Sequence, residues 1–134
     1  MGWVHHIDIT VTDLAVSTAF YDQVLKLMGF RRIRDESGVP LWAGARTEVG
    51  LQQARADHNR PHDRYSPGLH HLAFGAPDRA AVDRVYEALL KLNVKILDAP
   101  ATYEQYSPGY FAVFFADPDG IKLEYVYTPV WPTE

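Results

Sequence analysis

Residues 5–30 read HHIDITVTDLAVSTAFYDQVLKLMGF, and residues 70–95 read HHLAFGAPDRAAVDRVYEALLKLNVK. Laid on each other without a gap, at an offset of 65, the two stretches agree at 8 of 26 positions. His5-His6 falls on His70-His71, Asp13 on Asp78, Ala15 on Ala80, Tyr21 on Tyr86, and Leu25-Lys26-Leu27 on Leu90-Lys91-Leu92. Agreement that clusters on a His-His pair and on a helix end together marks an internal duplication.

Each copy predicts the same order of elements. His6–Val11 alternates Ile7, Ile9 and Val11 with His6, Asp8 and Thr10, the period of a half-buried strand. Thr12-Asp13 then offers a helix N-cap, Val16, Phe20, Val24 and Leu27 recur at helical spacing, and Gly29 stands where a helix stops. The second helix opens at Pro77-Asp78 and carries Val82, Val85, Leu89 and Leu92. Strands are expected at Phe30–Arg34, Leu41–Ala45 and Val49–Arg55, then at Val94–Leu97, Tyr110–Phe115 and Ile121–Tyr127, with a turn at Asp117-Pro118-Asp119-Gly120. The pattern is βαβββ, twice, an α+β class. Module 1 covers about residues 1–56, the connection about 57–68, and module 2 about 69–134, in one domain.

Composition narrows the function classes. The 134 residues are 47% hydrophobic and 22% charged, with a net charge of −4. That is a globular composition without the basic face a nucleic-acid partner requires. No cysteine is present, so disulfides, thiolate metal sites and a cysteine nucleophile are excluded. No apolar run is long enough to span a bilayer, and Met1–Thr10 carries two histidines and an aspartate where a signal peptide is apolar. A soluble, cytoplasmic protein without membrane or nucleic-acid partners is expected.

Strand parity then gathers a chemistry. His6, Asp8 and Thr10 share one face of the first strand, His71, Ala73 and Gly75 the matching face of its repeat, and Lys122, Glu124 and Val126 one face of the last strand. With the helices on one side of the sheet, His6, His71 and Glu124 point to the other. Two imidazoles and a carboxylate suit a divalent metal with open positions for water or substrate. A lone strand histidine is more often a surface residue; two at duplicated positions, facing the way a glutamate faces, favour the metal.

The stretch from His5 to Leu14, with Ala19-Phe20-Tyr21, resembles the opening of a vicinal oxygen chelate (VOC) protein. The tail from Phe114 to Glu124, with Asp117-Pro118-Asp119-Gly120, resembles its closing motif. That superfamily holds glyoxalase I, extradiol dioxygenases, fosfomycin-resistance transferases, methylmalonyl-CoA epimerase and bleomycin-binding proteins. The resemblance covers nearly the whole chain and implies paired βαβββ modules forming a U-shaped, partly open mixed sheet around a metal-binding cavity. It implies His6, His71 and Glu124 as ligands of one divalent metal per site, Fe, Mn, Ni, Co or Zn. Single-chain members are usually homodimers, and several build each metal site from both chains.

Two positions depart from particular subfamilies. Setting Val49–Gln52 against Ile121–Glu124 makes Gln52 the partner of Glu124, where glyoxalase I carries a glutamate ligand. Phe114 stands where extradiol dioxygenases carry a tyrosine. Asp8 and Glu124 are the candidate bases, and Gln52 or Asp8 can position substrate or water. Thr10, Trp42, Tyr106, Tyr110 and Phe114 are expected along the substrate pocket, with Tyr103, Tyr106 and Tyr110 around a flexible Ser107-Pro108-Gly109 turn as an aromatic lid. The expected function is a metal-dependent lyase, isomerase or dioxygenase acting on a small molecule with neighbouring oxygens. The alternative is a non-catalytic, bleomycin-resistance-like protein that sequesters its ligand.

Overall fold

The computed structural model describes residues 1–33 and 38–131. The chain divides into two compact units, Met1–Pro61 and His62–Glu134. Among the described residues, no helix is long and apolar enough to cross a membrane.

The first unit contains β1 (His6–Val11), α1 (Leu14–Leu27), β2 (Arg31–Arg32), β3 (Leu41–Ala43) and β4 (Glu48–Gln53), followed by a single 3-10 turn at Ala56–His58. Its sheet has the order β1-β4-β3-β2, with β1 parallel to β4 and the other pairs antiparallel. Strand β1 alternates as its sequence does: Ile9 and Val11 are buried, while His6, Asp8 and Thr10 are exposed. The Asp13 side chain accepts a hydrogen bond from the Val16 amide at 3.2 Å and caps α1. Gly29, at φ +85°, carries the chain out of the helix through a conformation that a side chain disfavours. Arg34, placed in the second strand by the sequence, lies outside the described residues.

Helix α1 buries a different face from the expected one. Ser17, Tyr21, Val24 and Leu25 are buried, whereas Val16 is 53% exposed and Leu27 38%. Trp42 explains the rotation. Its indole is 1% exposed, lies 6.2 Å from the Tyr21 ring, and donates from Nε1 to Asp22 Oδ1 at 2.7 Å. Arg32 covers the other part of the ring at 5.3 Å and also reaches Asp22. Trp42 therefore packs under α1 instead of lining a pocket, because β3 turns it toward the helix side of its sheet.

The second unit repeats this plan with β5 (His71–Gly75), α2 (Arg79–Lys91), β6 (Lys95–Thr102), β7 (Phe111–Ala116) and β8 (Lys122–Tyr127). The order is β5-β8-β7-β6, again with one parallel pair, β5 and β8. Asp78 caps α2 by accepting from the Ala81 amide at 2.7 Å. Ala81, Val82, Val85 and Leu89 form its buried face, and Leu92 ends the helix half out of the core. Strand β6 runs further than expected, through Pro100; it is an edge strand, where a residue without an amide hydrogen is tolerated, and its register with β7 is irregular there. The turn before β8 is tied by Asp117 Oδ1, which accepts from the Asp119 and Ile121 amides at 2.9 and 2.8 Å. Two open four-stranded mixed sheets, each with its helix, thus realise the duplicated βαβββ pattern and the α+β class.

A candidate metal centre

Strand β8 is flanked by β5 and β7, so its inward positions are buried on both sides. Glu124 stands at one of them, opposite Ala73 on β5 and Phe114 on β7, and is 1% exposed. A carboxylate so enclosed requires compensating partners. Two neutral-capable donors provide them. Tyr110 donates its hydroxyl to Oε2, and His71 Nε2 lies 3.3 Å from Oε1. Among the described residues, no lysine or arginine pairs with Glu124. Burial, followed by the bond to the Glu124 carboxylate, pushes the Tyr110 phenol well above its ordinary range, so it remains a donor.

The imidazoles come in bonded pairs. His71 Nδ1 lies 2.8 Å from His70 Nδ1, one donating and the other accepting, and His5 and His6 repeat the contact at 3.1 Å. With Nδ1 engaged by its neighbour, His71 turns Nε2 toward Glu124. Desolvation, with His71, Lys122 and Arg64 adding to it, holds His70 below the ordinary imidazole range.

Aromatic rings surround this corner. Phe114 lies 6.5 Å from the His71 ring and 5.6 Å from Tyr103. Tyr103 stacks on Tyr106 at 5.6 Å, and Tyr110 meets both edge-on. The expected lid is a tied turn: Tyr103 donates to the Tyr110 carbonyl at 2.7 Å, Tyr110 to that of Ser107, and Gly109 to Glu104 Oε1. The rings of Tyr110 and Phe114 therefore form a wall beside Glu124, while Tyr106 is 61% exposed.

In the first unit, His6, Asp8 and Thr10 share the exposed face of β1. The strand register corrects one expectation. Asp8 pairs with Gly50 and Thr10 with Gln52, as Ala73 pairs with Glu124 and Gly75 with Val126. Gly50, not Gln52, is thus the counterpart of Glu124, and Gln52 lies two residues further along β4. Among the described residues, no three histidine, aspartate or glutamate side chains gather closely enough to hold a metal ion.

Residues 3–125 match the Glyoxalase/Bleomycin resistance protein/Dioxygenase superfamily. The chain belongs to this superfamily. The chain is 33% identical to the uncharacterized protein YqjT of Bacillus subtilis (strain 168) over 95 residues, 70% of this chain and 74% of YqjT. A crystal structure from Bacillus halodurans, of a candidate glyoxalase, is 31% identical with a TM-score of 0.80 over 95% of this chain and 96% of that one. Lactoylglutathione lyase from Agrobacterium tumefaciens shares the fold, with a TM-score of 0.70 at 21% identity over 100% of this chain and 99% of the other.

Members of this superfamily commonly use a divalent metal, and His71 with Glu124 offers two donors of the kind such an ion takes. Glu124 is an enclosed carboxylate that no lysine or arginine pairs with among the described residues, and an imidazole nitrogen already faces it. Nitrogen and oxygen donors of this kind suit Fe, Mn, Co, Ni or Zn.

Proposed function

We propose that this glyoxalase/dioxygenase-superfamily protein is a metal-dependent small-molecule enzyme whose ligands are His6, His71 and Glu124. Its substrate carries two neighbouring oxygens. The observation that supports this most is the buried Glu124 carboxylate facing His71 Nε2. A divalent metal bound there supplies Lewis acidity to the chelating oxygens. Tyr110 holds Glu124 Oε2 and so leaves Oε1 turned toward His71. Phe114 and Tyr103 exclude water from one side and offer ring faces to an organic substrate. Thr10 and Gln52, paired across β1 and β4, contribute hydrogen-bonding groups on the exposed face.

The 31% identity to the Bacillus halodurans candidate glyoxalase supports lyase or isomerase chemistry, as does Phe114 where ring-cleaving relatives carry a tyrosine. A homodimer drawing His6 from one chain and His71 with Glu124 from the other is part of this reading, as the family resemblance implies. The exposed ring of Tyr106 beside Tyr103 favours a second reading, a protein that only sequesters an aromatic ligand.

Metal analysis by plasma mass spectrometry on untagged protein tests the choice. Wild type is expected to hold about one metal per chain, and His71→Ala and Glu124→Ala to lose it. A wild type that takes up no metal after reconstitution contradicts the enzyme reading and leaves the sequestering one.

A further inference from the structure

Lys122 and Glu124 stand two residues apart on β8 and so share one face of its sheet. The register sets Lys122 opposite His71 on β5, and Glu124 opposite Phe114 on β7. The Lys122 side chain leans along that face, with Nζ 4.5 Å from the centroid of the Phe114 ring. The Glu124 carboxylate is already engaged by Tyr110 and His71. Arg64 approaches from the segment before β5. Its Nη2 donates to the Tyr65 hydroxyl at 3.0 Å, its guanidinium lies 5.1 Å from that ring, and the Tyr65 ring meets His70 edge-on at 6.0 Å. Asp63, the acid beside it in sequence, accepts instead from the Tyr65 amide and the Ser66 hydroxyl. Among the described residues, no acid pairs with Lys122 or Arg64, and Arg64 Nε has no hydrogen-bond partner. After desolvation, the groups that disfavour the charged form of His70 are His71, Lys122 and Arg64, so both cations lie within electrostatic reach of that ring. All of these residues belong to the second unit.

We propose that Lys122, supported by Arg64, is a specificity-determining residue that binds an oxyanion of the ligand, a carboxylate or phosphate group, beside the Phe114 ring. This deepens the reading above by naming the charge of the substrate, and it rests on that reading only for the place where the ligand enters. The state of the lysine carries the inference. A ring face attracts an ammonium but gives its N–H donors no oxygen to bond. An arriving oxyanion supplies the missing acceptor and the missing charge together, and charge-assisted bonds of that kind are the strong ones. Phe114 covers one side of the ammonium, which limits water there and strengthens the attraction. The Glu124 carboxylate repels an anion, so the group settles on the Lys122 side. A ligand anchored by that end presents its other end to His71 and Glu124, and Lys122 thereby sets its orientation.

The test is calorimetric titration of the full chain with phenylacetate, phenyl phosphate and the neutral phenylacetamide, after chelation so that no metal competes for the probes. Wild type is expected to bind the better of the two anions about 10- to 100-fold tighter than the amide, and which anion that is assigns the group as carboxylate or phosphate. Lys122→Met, which keeps the stem over Phe114, is expected to lose that preference while its affinity for the amide stays unchanged. Lys122→Arg is expected to retain it, and Arg64→Gln to weaken anion binding by about threefold. Retention in Lys122→Arg with loss in Lys122→Met is a result that a merely structural role would not give. Equal wild-type affinity for the amide and both anions overturns the proposal, as does the absence of binding to either anion. A Lys122→Met variant, folded by circular dichroism, that binds the anion as wild type does also overturns it, and so does an equal loss in Lys122→Arg. Metal uptake is scored separately. A chain that binds the anions but takes up no Ni(II) contradicts the metal reading alone, and one that takes up Ni(II) but ignores the anions contradicts this proposal alone.

Discussion

Tyr110 is the side chain on which the geometry of Glu124 depends. Its hydroxyl is the donor to Oε2, in a place where water has little access. Tyr110→Phe is expected to cost about 1–3 kcal/mol of stability, the range for leaving a buried acceptor unpaired, measured by urea denaturation of the metal-free protein. An unchanged midpoint would mean that Oε2 finds another donor. His71 and Glu124 were legible in the sequence because both lie in regular strands, where parity alone assigns a face. Tyr110 precedes β7, and its link to a residue 14 positions later exists only through the β7–β8 register. The equivalence of Gln52 to Glu124 failed for a related reason. A two-residue slip between strands preserves which face each side chain occupies, so Gly50 and Gln52 look equivalent until the hydrogen-bond ladder distinguishes them.

At the scale of elements, the buried stripe of α2 was read correctly except at Leu92, whereas that of α1 was read correctly only at Val24. Helix α2 separates its apolar stripe with Asp83, Arg84, Glu87 and Lys91, so only one face can be buried. Helix α1 has apolar residues around most of its circumference, including Val16, Phe20, Tyr21, Val24, Leu25 and Leu27. Its rotation is decided by a tertiary contact, the Tyr21–Trp42 packing with the Trp42–Asp22 hydrogen bond. Trp42→Phe is accordingly expected to destabilise the fold by about 1–2 kcal/mol through loss of the bond to Asp22. Because Trp42 packs under α1, the same variant is expected to keep wild-type metal binding. Thermal unfolding and a Ni(II) titration check the two parts, and a variant that keeps its stability but loses metal would return Trp42 to the site.

For the whole molecule, the duplication was visible because each unit builds its own sheet, helix and core from one copy of the repeat. The U-shaped cavity expected from the family resemblance depends on how units or chains are juxtaposed, and strand periodicity carries no record of that. The proposed ligands are likewise divided in sequence, with His6 in Met1–Pro61 and His71 and Glu124 in His62–Glu134. The most direct test is an anomalous difference map from crystals of the metal-loaded protein, collected at the metal's absorption edge. One peak per chain is expected, within bonding distance of His71 Nε2, a Glu124 carboxylate oxygen and His6 Nε2, with His6 contributed by a second copy of the chain. A fully loaded crystal whose peaks lie away from His71 and Glu124 would contradict the account.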